Sequence, residues 1–232
     1  MNFLAFSWDV LPFVLIVLII AFTVHEFAHA YAAYKFGDPT AQLLGRVTLN
    51  PARHVDFLGM ILILIAGFGW ARPVPVTREN FSKPRLMGIV VSAVGPLSNL
   101  LIAFVGAMIF SALSAYGILN VTMVDGTLFY TEELSRVQEA FALFFVYLIQ
   151  MNILLFLFNL IPLPPLDGYR IIEDIAPLRI RRKLQQIEPY SIFIFLLIVF
   201  IPPLRENTIG RMYVWIGDLM QLFLDLGASI FG

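Results

Sequence analysis

VLPFVLIVLIIAFTVHEFAHAYAAYK, residues 10–35, begins as a membrane span and ends as something chemically different. Through Val24 it carries no charge, as a helix crossing hydrocarbon requires. His25, Glu26 and His29 then follow in close succession. Ionisable groups at membrane depth are costly and tend to be kept where they act. The stretch therefore sets both the solvent of the fold and the place to look for chemistry.

The rest of the chain agrees about the solvent. Of its 232 residues, 59% are hydrophobic and 13% charged, against roughly 25% charged in soluble domains. Further apolar stretches at Met87–Leu113, Phe141–Ile161 and Tyr190–Leu204 approach or exceed the ~20 residues that a spanning helix needs. These stretches predict an all-α polytopic membrane protein of about five to six transmembrane helices. No repeat, low-complexity tract or Gly/Ser linker divides the chain, so one integral domain over 1–232 is expected. Residues 10–24 lack a basic n-region and an A-x-A site, which predicts retention in the mature protein. A net charge of -1 argues against nucleic acid as partner. The absence of cysteine excludes disulfides, thiolate metal sites and cysteine catalysis.

The basic residues suggest an orientation. Lys35, Arg46, Arg53, Arg72, Arg78, Lys83 and Arg85 form one group, and Arg170, Arg179, Arg181, Arg182 and Lys183 another. Tyr116–Val137 holds only Arg136, beside Asp125, Glu132 and Glu133. The positive-inside rule then puts the first two regions in the cytoplasm and the third outside, with the N-terminus external. On this reading His25 and His29 approach the cytoplasmic side, where Phe141–Ile161 also emerges just before Asp167.

Two segments are harder to place. Gly45–Asn50 and Ala71–Thr77 have the β-branched, alternating look of short strands, which predicts a small membrane-associated β-hairpin or sheet. Leu58–Phe68 is apolar but too short to span, which suits a re-entrant segment. Ile209–Phe231 places Arg211, Asp218, Gln221 and Asp225 on one helical face. It reads either as an interfacial helix or as a span packed by that polar face.

Histidines at i and i+4 project from one face with Cβ atoms about 5–6 Å apart, close enough to converge on one ion. A neutral histidine pair suits Zn²⁺, and Glu26 beside the first can reach a metal-bound water as general base. A chance match, or histidines hydrogen-bonded inside a bundle, is the ordinary alternative. A catalytic zinc uses three protein ligands. His54 and Asp167 are candidates for the third. Asp167 closes Asn159-Leu-Ile-Pro-Leu-Pro-Pro-Leu-Asp167-Gly168, where Pro162, Pro164 and Pro165 prevent a regular helix. Alone it would read as an N-cap, but beside HEFAH at matching depth the ligand reading is preferred.

HEFAH in an early membrane helix, with N-x-x-P-x-P-x-L-D-G far downstream, resembles the site-2 protease family of intramembrane zinc metalloproteases. The likeness extends to Gly45-Arg-Val-Thr-Leu-Asn50-Pro51, His54-Val-Asp56, Gly69-Trp-Ala-Arg-Pro-Val-Pro75 and Gly95-Pro96-Leu-Ser-Asn99. It implies His25, His29 and Asp167 as ligands of one zinc ion, Glu26 as acid and base, and Asn159 as a contact to substrate backbone or oxyanion. It also implies a transmembrane protein or peptide as substrate and a prokaryotic cell membrane as location, while the basic residues put the site toward the cytoplasm. The chain resembles the compact form of the family, without PDZ or CBS domains.

Asn99 is a further candidate contact to substrate or oxyanion. It lies in an apolar span, where an unpaired amide is costly, so it bonds across helices toward the site or serves packing alone. His54 could support a ligand, touch substrate or bond within its loop. Two other function classes stay open: a zinc-dependent membrane hydrolase acting on a non-peptide such as a lipid, and a non-catalytic zinc-binding scaffold or metal transporter. A homo-oligomer is also left open.

Overall fold

The computed structural model describes residues 6–66, 69–124, 127–130 and 133–232. Phe68, Asp125 and Glu132, which the sequence argument used, lie outside them.

The first long helix, α1, runs Leu11–Lys35. Pro12 sits in its opening turn, where a missing N–H costs nothing, and Lys35 meets the negative end of the helix dipole. A four-residue helix, α2, follows at Thr40–Leu43. The next helix, α3, covers Phe57–Ala66. Its Met60 and Ile63 pack against Val10, Val14, Leu18 and Phe22. Arg72 N–H then donates to His54 O at 2.8 Å. The two ends of the α3 excursion therefore meet, as a re-entrant segment requires. Gly59 and Gly69 permit this return, because a Cβ on either would collide with the other arm's backbone.

Two more long helices are α4, Pro84–Ala115, and α5, Arg136–Asn159. A reciprocal capping box between Ser135 and Gln138 starts α5. After the proline-rich turn come α6, Asp167–Ile175, and α7, Leu178–Ile187. Then follow α8, Ser191–Phe200, α9, Pro202–Arg205, a π-type turn at Glu206–Gly210, and α10, Arg211–Phe231.

Among the described residues four helical segments are long and apolar enough to cross a membrane, rather than the five to six expected: Leu11–Lys35, Pro84–Ala115, Arg136–Asn159 and Pro202–Phe231. Tyr190–Leu204 accounts for much of the difference. Only Ser191–Phe200 of it forms α8, which at 1.5 Å per residue rises about 15 Å, half the hydrocarbon thickness. Pro202 and Pro203 then open a new helix.

That last segment packs by its apolar side. Ile216, Met220, Phe223 and Leu224 join Ala103, Ala107, Phe110, Phe145, Ile149 and Ile153 in the main core. Arg211, Asp218 and Asp225 are exposed, so the polar face is not the packed one.

The strands also lie elsewhere than expected. Among the described residues the only sheet is an antiparallel pair, β1, Val121–Val124, and β2, Thr127–Tyr130. Neither Arg46–Leu49 nor Val74–Thr77 is a strand. Pro73 and Pro75 lack the N–H that a ladder needs. The donors between and after them go to carboxylates instead: Val74 N–H to Glu26 Oε2 at 2.9 Å and Thr77 N–H to Asp38 Oδ2 at 2.7 Å.

Candidate metal centre

Three side chains from two helices converge. His25 and His29 come one turn apart from α1, both buried. Asp167 opens α6, where it makes no capping bond. The proline-rich turn, which includes a cis peptide between Pro164 and Pro165, carries the chain from α5 into α6. Gly168 allows the approach, since a Cβ there would overlap the Leu160 carbonyl.

The geometry is that of three lone pairs aimed at one point. His25 Nε2 lies 3.0 Å from His29 Nε2, and Asp167 Oδ2 lies 3.2 Å from the first and 3.3 Å from the second. The outer nitrogens fix the tautomers. His29 Nδ1 donates to Val91 O at 2.6 Å, and His25 Nδ1 donates to Asn99 Oδ1 at 2.7 Å. Both Nε2 atoms are thus acceptors, and Asp167 Oδ2 is buried without a hydrogen-bond donor. Three acceptors that repel one another with no proton between them suit a cation. Zinc takes two imidazoles and a carboxylate at separations of this order, with outer nitrogens held by carbonyl groups. Among the described residues no other group of His, Asp or Glu converges in this way.

The support behind His25 extends further. Asn99 is fully buried, and its amide donates to Asn152 Oδ1 at 2.9 Å and to Ala21 O at 3.3 Å. Asn152 in turn donates to Leu148 O at 2.8 Å. Asn99 is therefore committed on both ends and presents no free group to a substrate. Asn152 escaped the sequence argument, although a buried amide in an apolar span carries the same cost that singled out Asn99. Gly95 matters for a steric reason: a methyl there would overlap the His29 ring.

Glu26 is buried beside these groups. Its Oε2 accepts from Val74 N–H, and its other oxygen has no partner among the described residues. The donor segment is clamped at Arg72, whose N–H meets His54 O and whose carbonyl accepts from Arg46 Nη2. His54 is thus placed in the supporting loop rather than among the converging ligands. Its Nε2 donates to Thr48 O at 2.6 Å, and burial pushes its pKa below the ordinary range. Asn159 ends α5 with its amide donating back to Leu155 O at 2.9 Å.

At the far end of the same segment, Asp38 is fully buried and gathers Thr40, Thr77 and Asn80. Burial alone would raise its pKa, but these donors outweigh it and hold the carboxyl below the usual range. Two buried acids on α6, Glu173 and Asp174, are gripped from outside. Arg78 Nη1 lies 2.8 Å from Asp174 and 3.5 Å from Glu173. A cavity of about 450 Å³ runs from His29 past Val74, Val76 and Ser92 to Arg78 and Glu173.

Comparison with known proteins agrees with this chemistry. The family model described as Peptidase family M50 matches residues 13–202. The "Putative zinc metalloprotease YwhC" of Bacillus subtilis (strain 168) is 50% identical over 211 residues, covering 91% of this chain and 90% of that protein. The "Putative zinc metalloprotease Rip2" of Mycobacterium tuberculosis (strain ATCC 25618 / H37Rv) is 26% identical over 215 residues, covering 91% of this chain and 75% of that protein. No solved structure matches the chain.

Proposed function

This chain belongs to peptidase family M50, the site-2 proteases, and from that premise we propose that it is a zinc-dependent intramembrane endopeptidase. It hydrolyses peptide bonds in or near transmembrane segments of membrane-protein substrates, as a single integral domain in a prokaryotic cell membrane with its site toward the cytoplasm. The convergence of His25, His29 and Asp167 beside Glu26 carries the reading.

His25 Nε2, His29 Nε2 and Asp167 Oδ2 would hold one zinc ion. Bound zinc supplies the Lewis acidity that makes water nucleophilic at neutral pH. Glu26 takes the proton of the attacking water on its unpaired oxygen while Val74 N–H steadies the other, then returns the proton to the leaving nitrogen. Asn99 and Val91 O keep the imidazole protons on the outer nitrogens, so that the inner lone pairs stay available. Asn159, whose Oδ1 has no partner among the described residues, accepts a substrate N–H. Because a helical substrate has its carbonyls hydrogen-bonded, it must unwind locally before one can meet the water that Glu26 deprotonates.

Metal analysis of wild type, His25→Ala and Asp167→Ala, with cleavage of a membrane-protein substrate by wild type and Glu26→Gln, tests this. One zinc per wild-type chain, lost in both ligand variants, together with a zinc-loaded but inactive Glu26→Gln, is expected. Equal cleavage by Glu26→Gln and wild type would overturn the protease reading.

A further inference from the structure

The helix α7 has no buried residue, yet its side chains sort into three faces. One face grips the protein: Gln185 donates to Glu173 Oε1 at 2.8 Å, and Arg181 Nε lies 3.5 Å from the same oxygen. A second is apolar and uncovered. Ile180 and Ile187, at i and i+7 with Leu184 between them, are 50% and 47% exposed. The third carries Arg179, Arg182 and Lys183, exposed and making no ion pair among the described residues.

An apolar stripe beside an unneutralised basic stripe, on a helix tethered by its remaining face, is the pattern of a helix lying in a membrane interface. Its surroundings fit. The chain continues into α8, all of whose residues except Ser191 are apolar, with Phe193, Leu197 and Phe200 uncovered. Apolar surface of this kind in a membrane protein faces acyl chains. The basic stripe then lies at headgroup level, where guanidinium and ammonium groups pair with phosphate.

We propose that α7 is a docking surface for anionic lipid headgroups, with Ile180 and Ile187 set into the acyl boundary and Arg179, Arg182 and Lys183 on the phosphates. Arg181 and Gln185 fix this surface to α6, so the lipid meets a rigid element.

The absence of native cysteine makes the test clean. Ile187→Cys carrying an environment-sensitive fluorophore is reconstituted as the full chain in vesicles of phosphatidylcholine, with and without phosphatidylglycerol. A blue shift that appears only with phosphatidylglycerol, disappears at high salt and is not produced by inorganic phosphate is expected. In the Arg179→Gln/Arg182→Gln/Lys183→Gln background the lipid response should vanish. Should that variant fail to fold, the salt dependence of the single-cysteine protein decides the matter. An identical signal in both vesicle types would overturn the proposal. So would cross-linking between copies through residue 187, which would mean that a second chain covers the face.

Discussion

Val74 N–H donates to Glu26 Oε2 at 2.9 Å, joining two residues 48 apart in sequence. The bond holds one carboxylate oxygen and leaves the other without a partner among the described residues, as the proposed proton transfer would need. Val74 carries the one backbone N–H between Pro73 and Pro75, since proline has none.

Val74→Pro deletes that donor. A hydrogen bond to a charged group is worth about 1.5–3 kcal/mol, so turnover should fall roughly 10–100-fold. Zinc content should stay near wild type, because His25, His29 and Asp167 are untouched. Steady-state kinetics on reconstituted protein, beside metal analysis, separates this from general unfolding.

Gly95→Ala places a methyl against His29. Zinc content should drop while the helix, which gains propensity from alanine, persists. Gly217→Ala, with open space around its position, serves as the control and should bind zinc normally. Equal zinc in both variants would remove the steric argument.

Asn99→Leu deprives the His25 imidazole of its acceptor. Loss of such a partner weakens metal affinity by about 10–100-fold. Competition against a chelator measures it, and Asn152→Leu should give a smaller effect in the same direction, acting one bond further away.

Arg78→Ala leaves Asp174 and Glu173 short of a cation. Removing one partner of a buried pair costs about 3–5 kcal/mol. A lower Tm in detergent is expected, with faster zinc release, because Asp167 belongs to the same helix. An unchanged Tm would show that Arg181 and Arg170 suffice.

Acid should loosen the segment before Asn80. Asp38 has a depressed pKa in the folded protein, so its contribution is present above the unfolded value, about 3.9. That contribution is lost as pH falls through the folded value. Amide exchange at Thr77 should therefore rise in strong acid, and Asp38→Asn should show the faster exchange already at neutral pH.

The solvent, three of the four long apolar segments and the residues to suspect are legible in the amino-acid sequence alone. Those follow from composition and from periods within one helix: an i, i+4 histidine pair, an amide in an apolar run, a proline-broken turn ending in Asp167. The remainder depends on approach between distant segments. That His25, His29 and Asp167 meet, that Asn99 is held by Asn152 and that Val74 reaches Glu26 are each set by how α1, α4, α5 and α6 pack. The strand expectation at Val74–Thr77 failed for the same reason. β-Branched residues describe what a segment can do locally, but Glu26 and Asp38, far away in sequence, took the hydrogen bonds that a sheet would have used. Which side of α10 packs stayed open in the sequence for a like reason, because burial depends on which side α4 and α5 present, and no single-helix pattern contains that.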